Sequence, residues 1–171
     1  MTMAIINGDN ASNQLNGTNL ADQIFGLGGN DALEGLDGND LLEGGAGIDD
    51  QYGGNGFDYA SYRSSAAGVG VRLNLGFGEG GDAEGDGLYD IEGVIGSAYF
   101  DILFGKDDRN VLRGGDGGDV LVGLGGDDEL EGGAGADELY GDAGFDFASY
   151  KAAPAGVLVY LDGSGPGGAA L

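Results

Sequence analysis

The stretch Gly26-Leu-Gly-Gly-Asn-Asp-Ala-Leu-Glu34 is followed without a break by Gly35-Leu-Asp-Gly-Asn-Asp-Leu-Leu-Glu43. The two nonapeptides share glycine at position one, aspartate at position six and leucine at position eight. Glycine recurs at this spacing in two series, at Gly8, Gly17, Gly26, Gly35, Gly44 and Gly53 and at Gly96, Gly105, Gly114, Gly123, Gly132 and Gly141. The chain therefore contains two arrays of tandem nonapeptides, and this repetition decides its fold.

Positions six and eight carry the chemistry of each repeat. Position eight is apolar in most repeats, as at Leu33, Leu42 and Leu121, and Gln51 interrupts the series once. Position six is Asn13, Asp22, Asp31, Asp40, Asp49 and Asp58 in the first array, and Asp101, Asn110, Asp119, Asp128, Asp137 and Asp146 in the second.

The glycine-rich positions one to six predict a tight turn, because glycine adopts the positive φ angles that such turns need. Positions seven to nine then form a strand of three residues in which only the middle side chain needs to be apolar. Such a strand is too short to be stable alone. We therefore predict strands that alternate between two faces, so that two repeats make one coil and each repeat stacks on the next but one.

Stacked aspartates at this spacing predict calcium sites. Neighbouring strands lie about 4.8 Å apart, roughly twice the distance of about 2.3–2.6 Å between Ca²⁺ and a ligand oxygen. One ion can therefore contact position-six oxygens of two adjacent coils, giving roughly six to eight ions. The predicted pairs are Asp22 with Asp40, Asp31 with Asp49, Asp40 with Asp58, Asp101 with Asp119, Asp119 with Asp137 and Asp128 with Asp146, and the weaker pairs are Asn13 with Asp31 and Asn110 with Asp128.

The remaining ligands have to come from the turns, because Ca²⁺ takes about 6–8 oxygens. At position three, the side chains of Asp37, Asn55, Asp107 and Asp116 are as compatible with exposed turn residues as with ligands. Without metal the stacked carboxylates repel one another, so we predict that the chain folds only when it binds calcium. The predicted main-chain ligands are the carbonyl oxygens of Gly26, Gly28, Gly35, Gly44, Gly53, Gly105, Gly114, Gly123, Gly125, Gly132 and Gly141.

The composition narrows the function classes. Thirty acidic residues against 6 basic ones give a net charge of −24, which repels nucleic acids and anionic membranes and attracts cations. The chain has no cysteine and no histidine, and so lacks thiolate metal ligands and the commonest general base. No apolar run approaches the ~20 residues that span a membrane, and residues 1–10 do not form a signal peptide. We expect no nucleic-acid partner, no membrane span and no enzyme activity.

The segment Phe57-Asp-Tyr-Ala-Ser-Tyr62 recurs as Phe145-Asp-Phe-Ala-Ser-Tyr150, so the chain is a duplicated unit. We divide it into a first array at residues 1–62, a connector strand and acidic loop at 63–86, a second array at 87–150 and the start of a second connector at 151–171. The aromatic residues of both segments are expected to cap their arrays, and the alternative is a platform on which sugars stack. Asp82, Asp86 and Glu92 are weaker candidates for an additional ion.

The pattern Gly-Gly-x-Gly-x-Asp-x-apolar-x, as in Gly114–Val122 and Gly132–Tyr140, resembles the RTX (hemolysin-type) calcium-binding repeat. The resemblance implies an all-β fold, a right-handed parallel β-roll (β-solenoid) with Ca²⁺ bound between stacked turns. It also implies a secreted, extracellular bacterial protein exported by type I secretion machinery that folds in external calcium. The predicted function is a calcium-induced folding module, and the alternative is a module that binds extracellular polysaccharide or a cell surface.

Overall fold

The computed structural model describes residues 3–149 and the backbone of residues 158–160. Apart from one 3-10 turn at Gly81–Ala83, the described residues contain no helix, and none of them could cross a membrane as a long apolar helix. The strands are β1 Ile5–Asn7, β2 Gln14–Asn16, β3 Gln23–Gly28, β4 Ala32–Asp37, β5 Leu41–Ala46, β6 Asp50–Asn55, β7 Tyr59–Ser61, β8 Gly70–Arg72, β9 Phe77–Glu79, β10 Gly87–Tyr89, β11 Gly93–Ile95, β12 Ile102–Phe104, β13 Val111–Asp116, β14 Val120–Val122, β15 Glu129–Ala134, β16 Glu138–Tyr140, β17 Phe147–Ser149 and β18 Leu158–Tyr160.

Successive repeats contribute strands alternately to two sheets. The eight-stranded sheet has the order β1-β3-β5-β7-β11-β13-β15-β17, and the ten-stranded sheet has the order β2-β4-β6-β10-β9-β8-β12-β14-β16-β18. Ile24 pairs with Leu42 in the first sheet and Leu15 with Leu33 in the second, so each repeat stacks in parallel on the next but one. The predicted β-roll of two repeats per coil is confirmed.

Several strands are longer than predicted. Val120–Val122 has the expected three residues, but Gln23–Gly28 has six and runs through positions one to three of the next repeat. The expectation that these positions form only a turn is wrong for such repeats, because the main chain continues to pair with the neighbouring coil there, as Leu27 does with Gly45.

The connector joins the two arrays into one continuous roll. In the eight-stranded sheet β7 pairs directly and in parallel with β11. In the ten-stranded sheet β10 stacks on β6, and the antiparallel hairpin β8–β9 lies between β10 and β12. The two repeat arrays are therefore not separated by a free linker.

The core is a ladder of position-eight side chains between the two sheets. It divides into a small cluster of Ile24, Leu33 and Leu42 and a larger one that runs from Ala60 to Leu139 through the connector. The fully buried Gln51 occupies a core position at the division. The connector and the residues that flank it deepen the core. The buried side chains that they add to the larger cluster are Tyr62, Val69, Val71, Leu73, Ala83, Leu88 and Ile91.

Candidate metal centre

The position-six side chains form two ladders along the edges of the roll, at the turn that precedes each strand. In each ladder the main-chain N–H of one position-six residue donates to Oδ1 of its counterpart in the next coil. Asp22 N–H, for example, donates to Asp40 Oδ1 at 2.7 Å. The structure therefore brings together the residues of each predicted pair, with one carboxylate oxygen held by the main chain.

The second carboxylate oxygen divides the repeats into two classes. In the first two repeats of each array it is occupied, since Asp22 Oδ2 accepts the N–H and hydroxyl of Thr18 at 2.6 and 2.8 Å and Asp101 Oδ2 accepts the Ser97 N–H at 2.6 Å. The Oδ1 atoms of Asn13 and Asn110 accept a main-chain N–H in the same way. Seven other carboxylates have a buried Oδ2 without a hydrogen-bond partner among the described residues, namely Asp31, Asp40, Asp49, Asp58, Asp119, Asp128 and Asp137.

The backbone at position two explains this division. In the first two repeats of each array, position two donates its N–H to the position-six side chain, as Thr18 does to Asp22. In the eight other repeats position two has positive φ, from 65° at Asp142 to 114° at Gly115. Because positive φ is unfavourable for leucine, the chain accepts strain at Leu27, Leu36 and Leu124 while leaving the carboxylate oxygen free. Functional sites are where such strain is commonly found.

The position-one glycines provide space beside these oxygens. None of them has positive φ, but a Cβ at Gly26 would overlap both Asp31 Oδ2 and the carbonyl oxygen of Gly44 in the next coil. The same combination of an unpartnered aspartate oxygen and a glycine carbonyl oxygen surrounds Gly35, Gly114 and Gly123. Carboxylate and carbonyl oxygens are the ligands that Ca²⁺ prefers, so the donor set fits this ion.

Main-chain ligands are required at these sites. No group of three or more acidic side chains among the described residues is arranged to hold a metal ion. A calcium site here would therefore combine the position-six carboxylates with carbonyl oxygens of the turns, as a hard cation with about 6–8 oxygen ligands allows.

Burial raises the pKa of several ladder carboxylates. It raises the pKa of Asp119 to about 7 and that of Asp49, Asp58 and Asp128 to about 6, while the main-chain hydrogen bond lowers each pKa and neighbouring carboxylates raise it. The pKa of Asp22 is instead lowered, because its three hydrogen bonds together outweigh burial.

The position-three side chains point away from the ladders. Asp37, Asn55, Asp107 and Asp116 are exposed, and Asn55 Nδ2 donates to Asp37 Oδ1 at 2.9 Å. A Cβ at Gly28 would meet Asn10 and Ala46, and one at Gly125 would meet Asp107. These placements favour turn residues over side-chain ligands at position three.

The connector residues differ from the repeats. Asp86 Oδ1 accepts the Asp49 N–H at 2.8 Å, but its Oδ2 accepts hydrogen bonds from the Tyr62 hydroxyl and the Gln51 amide. The main-chain N–H of Asp82 donates to Ser65 Oγ at 3.1 Å, and the charge of its carboxylate contributes to the raised pKa of Asp49. Val69 stands where a position-six residue would be, and its N–H donates to Asp101 Oδ1.

The expected aromatic cap is not at an end of the roll. Tyr62 is only 1% exposed and lies in the core where the roll continues into the connector, so it offers no surface for stacking sugars. Phe145 and Phe147 are exposed in the last described repeat, and Tyr150 lies outside the described residues.

A family model described as the RTX calcium-binding nonapeptide repeat (4 copies) matches the chain at residues 16–51, 25–60, 95–128 and 113–148. These segments cover most of both arrays and leave out the connector. No curated protein matches the chain in a sequence search.

Proposed function

Since the chain belongs to the RTX calcium-binding nonapeptide-repeat family, and its repeats bind calcium, we propose that the ions lie at the seven position-six aspartates whose second oxygen is buried without a partner. These are Asp31, Asp40, Asp49, Asp58, Asp119, Asp128 and Asp137. Their number supports the expectation of roughly six to eight ions.

Calcium binding is coupled to folding of the roll. A buried polar atom without a partner destabilises the folded state by about 1–3 kcal/mol, and by more when it is charged. Seven such atoms together would strongly destabilise a domain whose net stability is small. A bound cation removes this cost and adds its own binding free energy. The single observation that carries the proposal is the row of unpartnered carboxylate oxygens beside the turn carbonyls.

Far-UV circular dichroism tests the coupling. In chelator the chain should lack β-structure, and millimolar calcium should restore it. Asp119→Asn should bind one ion fewer in isothermal titration calorimetry and need more calcium to fold. Asp37→Asn removes the same charge from an exposed position three and should behave like the wild type. An apo chain already rich in β-structure and indifferent to calcium would contradict the proposal.

The family membership and the absence of cysteine support a role as a calcium-induced folding module of a secreted bacterial protein. Calcium is abundant outside cells, so a chain that needs it would stay unfolded inside the cell and fold after export. Type I secretion machinery suits this order of events, because it exports RTX proteins unfolded. Fractionation of an expressing bacterium with and without a type I exporter tests this part.

An exposed aromatic row favours polysaccharide binding as a second candidate function. The rings of Tyr52 and Tyr89 stack at 4.6 Å between centroids on the outer side of the ten-stranded sheet. The guanidinium of Arg72 covers Phe104 further along the same sheet. Flat, partly exposed rings suit the apolar faces of sugars. Loss of saturable oligosaccharide binding in Tyr89→Ala, with calcium-induced folding intact, would support this function.

A further inference from the structure

The first array meets the connector at Asp58. This residue is fully buried, and its Oδ2 has no hydrogen-bond partner among the described residues. Its Oδ1 accepts the Asp40 N–H at 2.7 Å, as in the regular ladder. Its repeat also has the positive φ at position two, 98° at Gly54, that accompanies a free oxygen. Asp58 therefore has every feature of a calcium-binding repeat, but the segment stacked on it in the next coil has Glu92 instead of aspartate at position six.

The start of the second array, just after the connector, supplies the groups that a regular repeat would provide. A Cβ at Gly53 would overlap the carbonyl oxygen of Asp90 and lie 2.7 Å from Asp58 Oδ2, so Asp90 replaces the glycine carbonyl of a regular repeat. Asp90 has a φ of 53°, the left-handed conformation that is uncommon outside glycine. Glu92 replaces the position-six aspartate, because its Oε2 accepts the Asp58 N–H at 3.0 Å.

We propose that Asp58 Oδ2, the main-chain carbonyl of Asp90 and the Glu92 carboxylate form a calcium site that ties the first array to the start of the second. The site rests on the proposed calcium binding of the repeats, and it extends that binding to a segment that the family match does not cover.

Lys106 is an internal competitor for this ion. Its ammonium group lies 3.0 Å from Glu92 Oε1, and both side chains are mostly buried. An ammonium group at a carboxylate satisfies part of the charge that a calcium ion would otherwise satisfy. The junction site should consequently bind calcium more weakly than the repeats, and it should strengthen when the ammonium group is removed.

The neighbouring ladder position closes differently. Oδ1 of Asp86 accepts the Asp49 N–H and its Oδ2 accepts the Tyr62 hydroxyl, whereas the second carboxylate oxygen of Glu92 faces the ammonium group of Lys106.

Glu92→Gln tests the site, because the amide oxygen can still accept the Asp58 N–H while the carboxylate charge is lost. Glu84→Gln is the matched control, since Glu84 is an exposed connector residue whose Oε2 also accepts a main-chain N–H. Bound calcium per chain is measured by elemental analysis after gel filtration at fixed free calcium. Glu92→Gln should bind one ion fewer than the wild type, and Glu84→Gln should bind the wild-type number.

Lys106→Met gives a result that a purely structural ion pair would not. Loss of the ammonium group should lower the calcium concentration at which the junction site fills, and the signal is terbium luminescence sensitised by the nearby Tyr59. A midpoint equal to or higher than that of the wild type would overturn the proposal, even where Glu92→Gln fails to fold. An unchanged ion count in folded Glu92→Gln would also overturn it. A wild-type chain that binds no calcium would instead refute the proposed function itself.

Discussion

Replacing Gly26 with alanine should destabilise the calcium-loaded roll far more than the same replacement at Gly28, two residues away in the same strand. Neither residue has positive φ, so backbone strain does not distinguish them. A Cβ at Gly26 would overlap Asp31 Oδ2 and the Gly44 carbonyl oxygen, whereas a Cβ at Gly28 would lie 3.5 Å from Asn10 Oδ1 and 3.6 Å from the Ala46 carbonyl oxygen. The pair therefore separates the space needed by a ligand from the general cost of losing a glycine.

The expected difference is several kcal/mol. Overpacking at Gly26 costs about 1–3 kcal/mol, and loss of an ion present at 100 times its dissociation constant costs about 2.7 kcal/mol more. Gly28→Ala should be neutral or stabilise the roll by up to about 1 kcal/mol, because it restricts the unfolded chain.

Urea unfolding in saturating calcium measures both free energies, and calorimetry counts the ions. Gly26→Ala should bind one ion fewer, while Gly28→Ala should keep the wild-type number. Equal destabilisation by the two variants, or an unchanged ion count in Gly26→Ala, would refute the assignment of position one to the calcium site.

Three further predictions concern charge, packing and strain. In chelator, the roll should gain stability as the pH falls from about 7 to about 4. Burial raises the pKa of Asp119 to about 7, above the ~3.9 of an unfolded aspartate. The folded chain therefore binds protons more tightly than the unfolded chain in this pH range. The same protonation should raise the calcium midpoint, and circular dichroism against pH checks both effects. Leu121→Ala should lower the free energy of unfolding in urea by about 2–5 kcal/mol, because Leu121 is fully buried. Leu75→Ala, at an exposed turn, should lower it by less than about 0.5 kcal/mol. Leu27→Gly should raise the free energy of unfolding by about 1 kcal/mol in a thermal melt, since glycine adopts the φ of 77° without strain. A loss of stability would show that the exposed Leu27 side chain makes more packing contacts than its position indicates.

The nine-residue period was sufficient to predict the roll. Because position eight alone needs to be apolar, a stretch such as Val120-Leu121-Val122 predicts a short strand with one buried side chain, and the structure has it. The pairing of Leu33 with its counterparts eighteen residues away followed from the same argument.

The division of the repeats into two classes could not be derived from the glycine and aspartate pattern alone. It depends on the peptide orientation at position two, where the first two repeats of each array have Asp9, Thr18, Ser97 and Lys106, and the others have leucine, glycine or, in the last repeat, Asp142. The difference in residue type at position two is visible in the sequence, but its effect depends on whether the main-chain N–H at that position is directed at the position-six side chain. The hydrogen bond from the Tyr62 hydroxyl to Asp86 Oδ2 could not be predicted either, because the separation of the two residues in the sequence does not match the repeat period.

The stacking of each repeat on the next but one also sets how such a chain changes length over evolutionary time. Deleting residues 26–43 would join Phe25 to Gly44 and leave every later strand in its own sheet, because the pairing of Ile24 with Leu42 spans the same interval. Deleting a single nonapeptide would exchange the sheets of all later strands and move the hairpin β8–β9 away from its neighbours β10 and β12. Insertions and deletions should therefore survive as whole coils, and an odd number of lost repeats should be selected against.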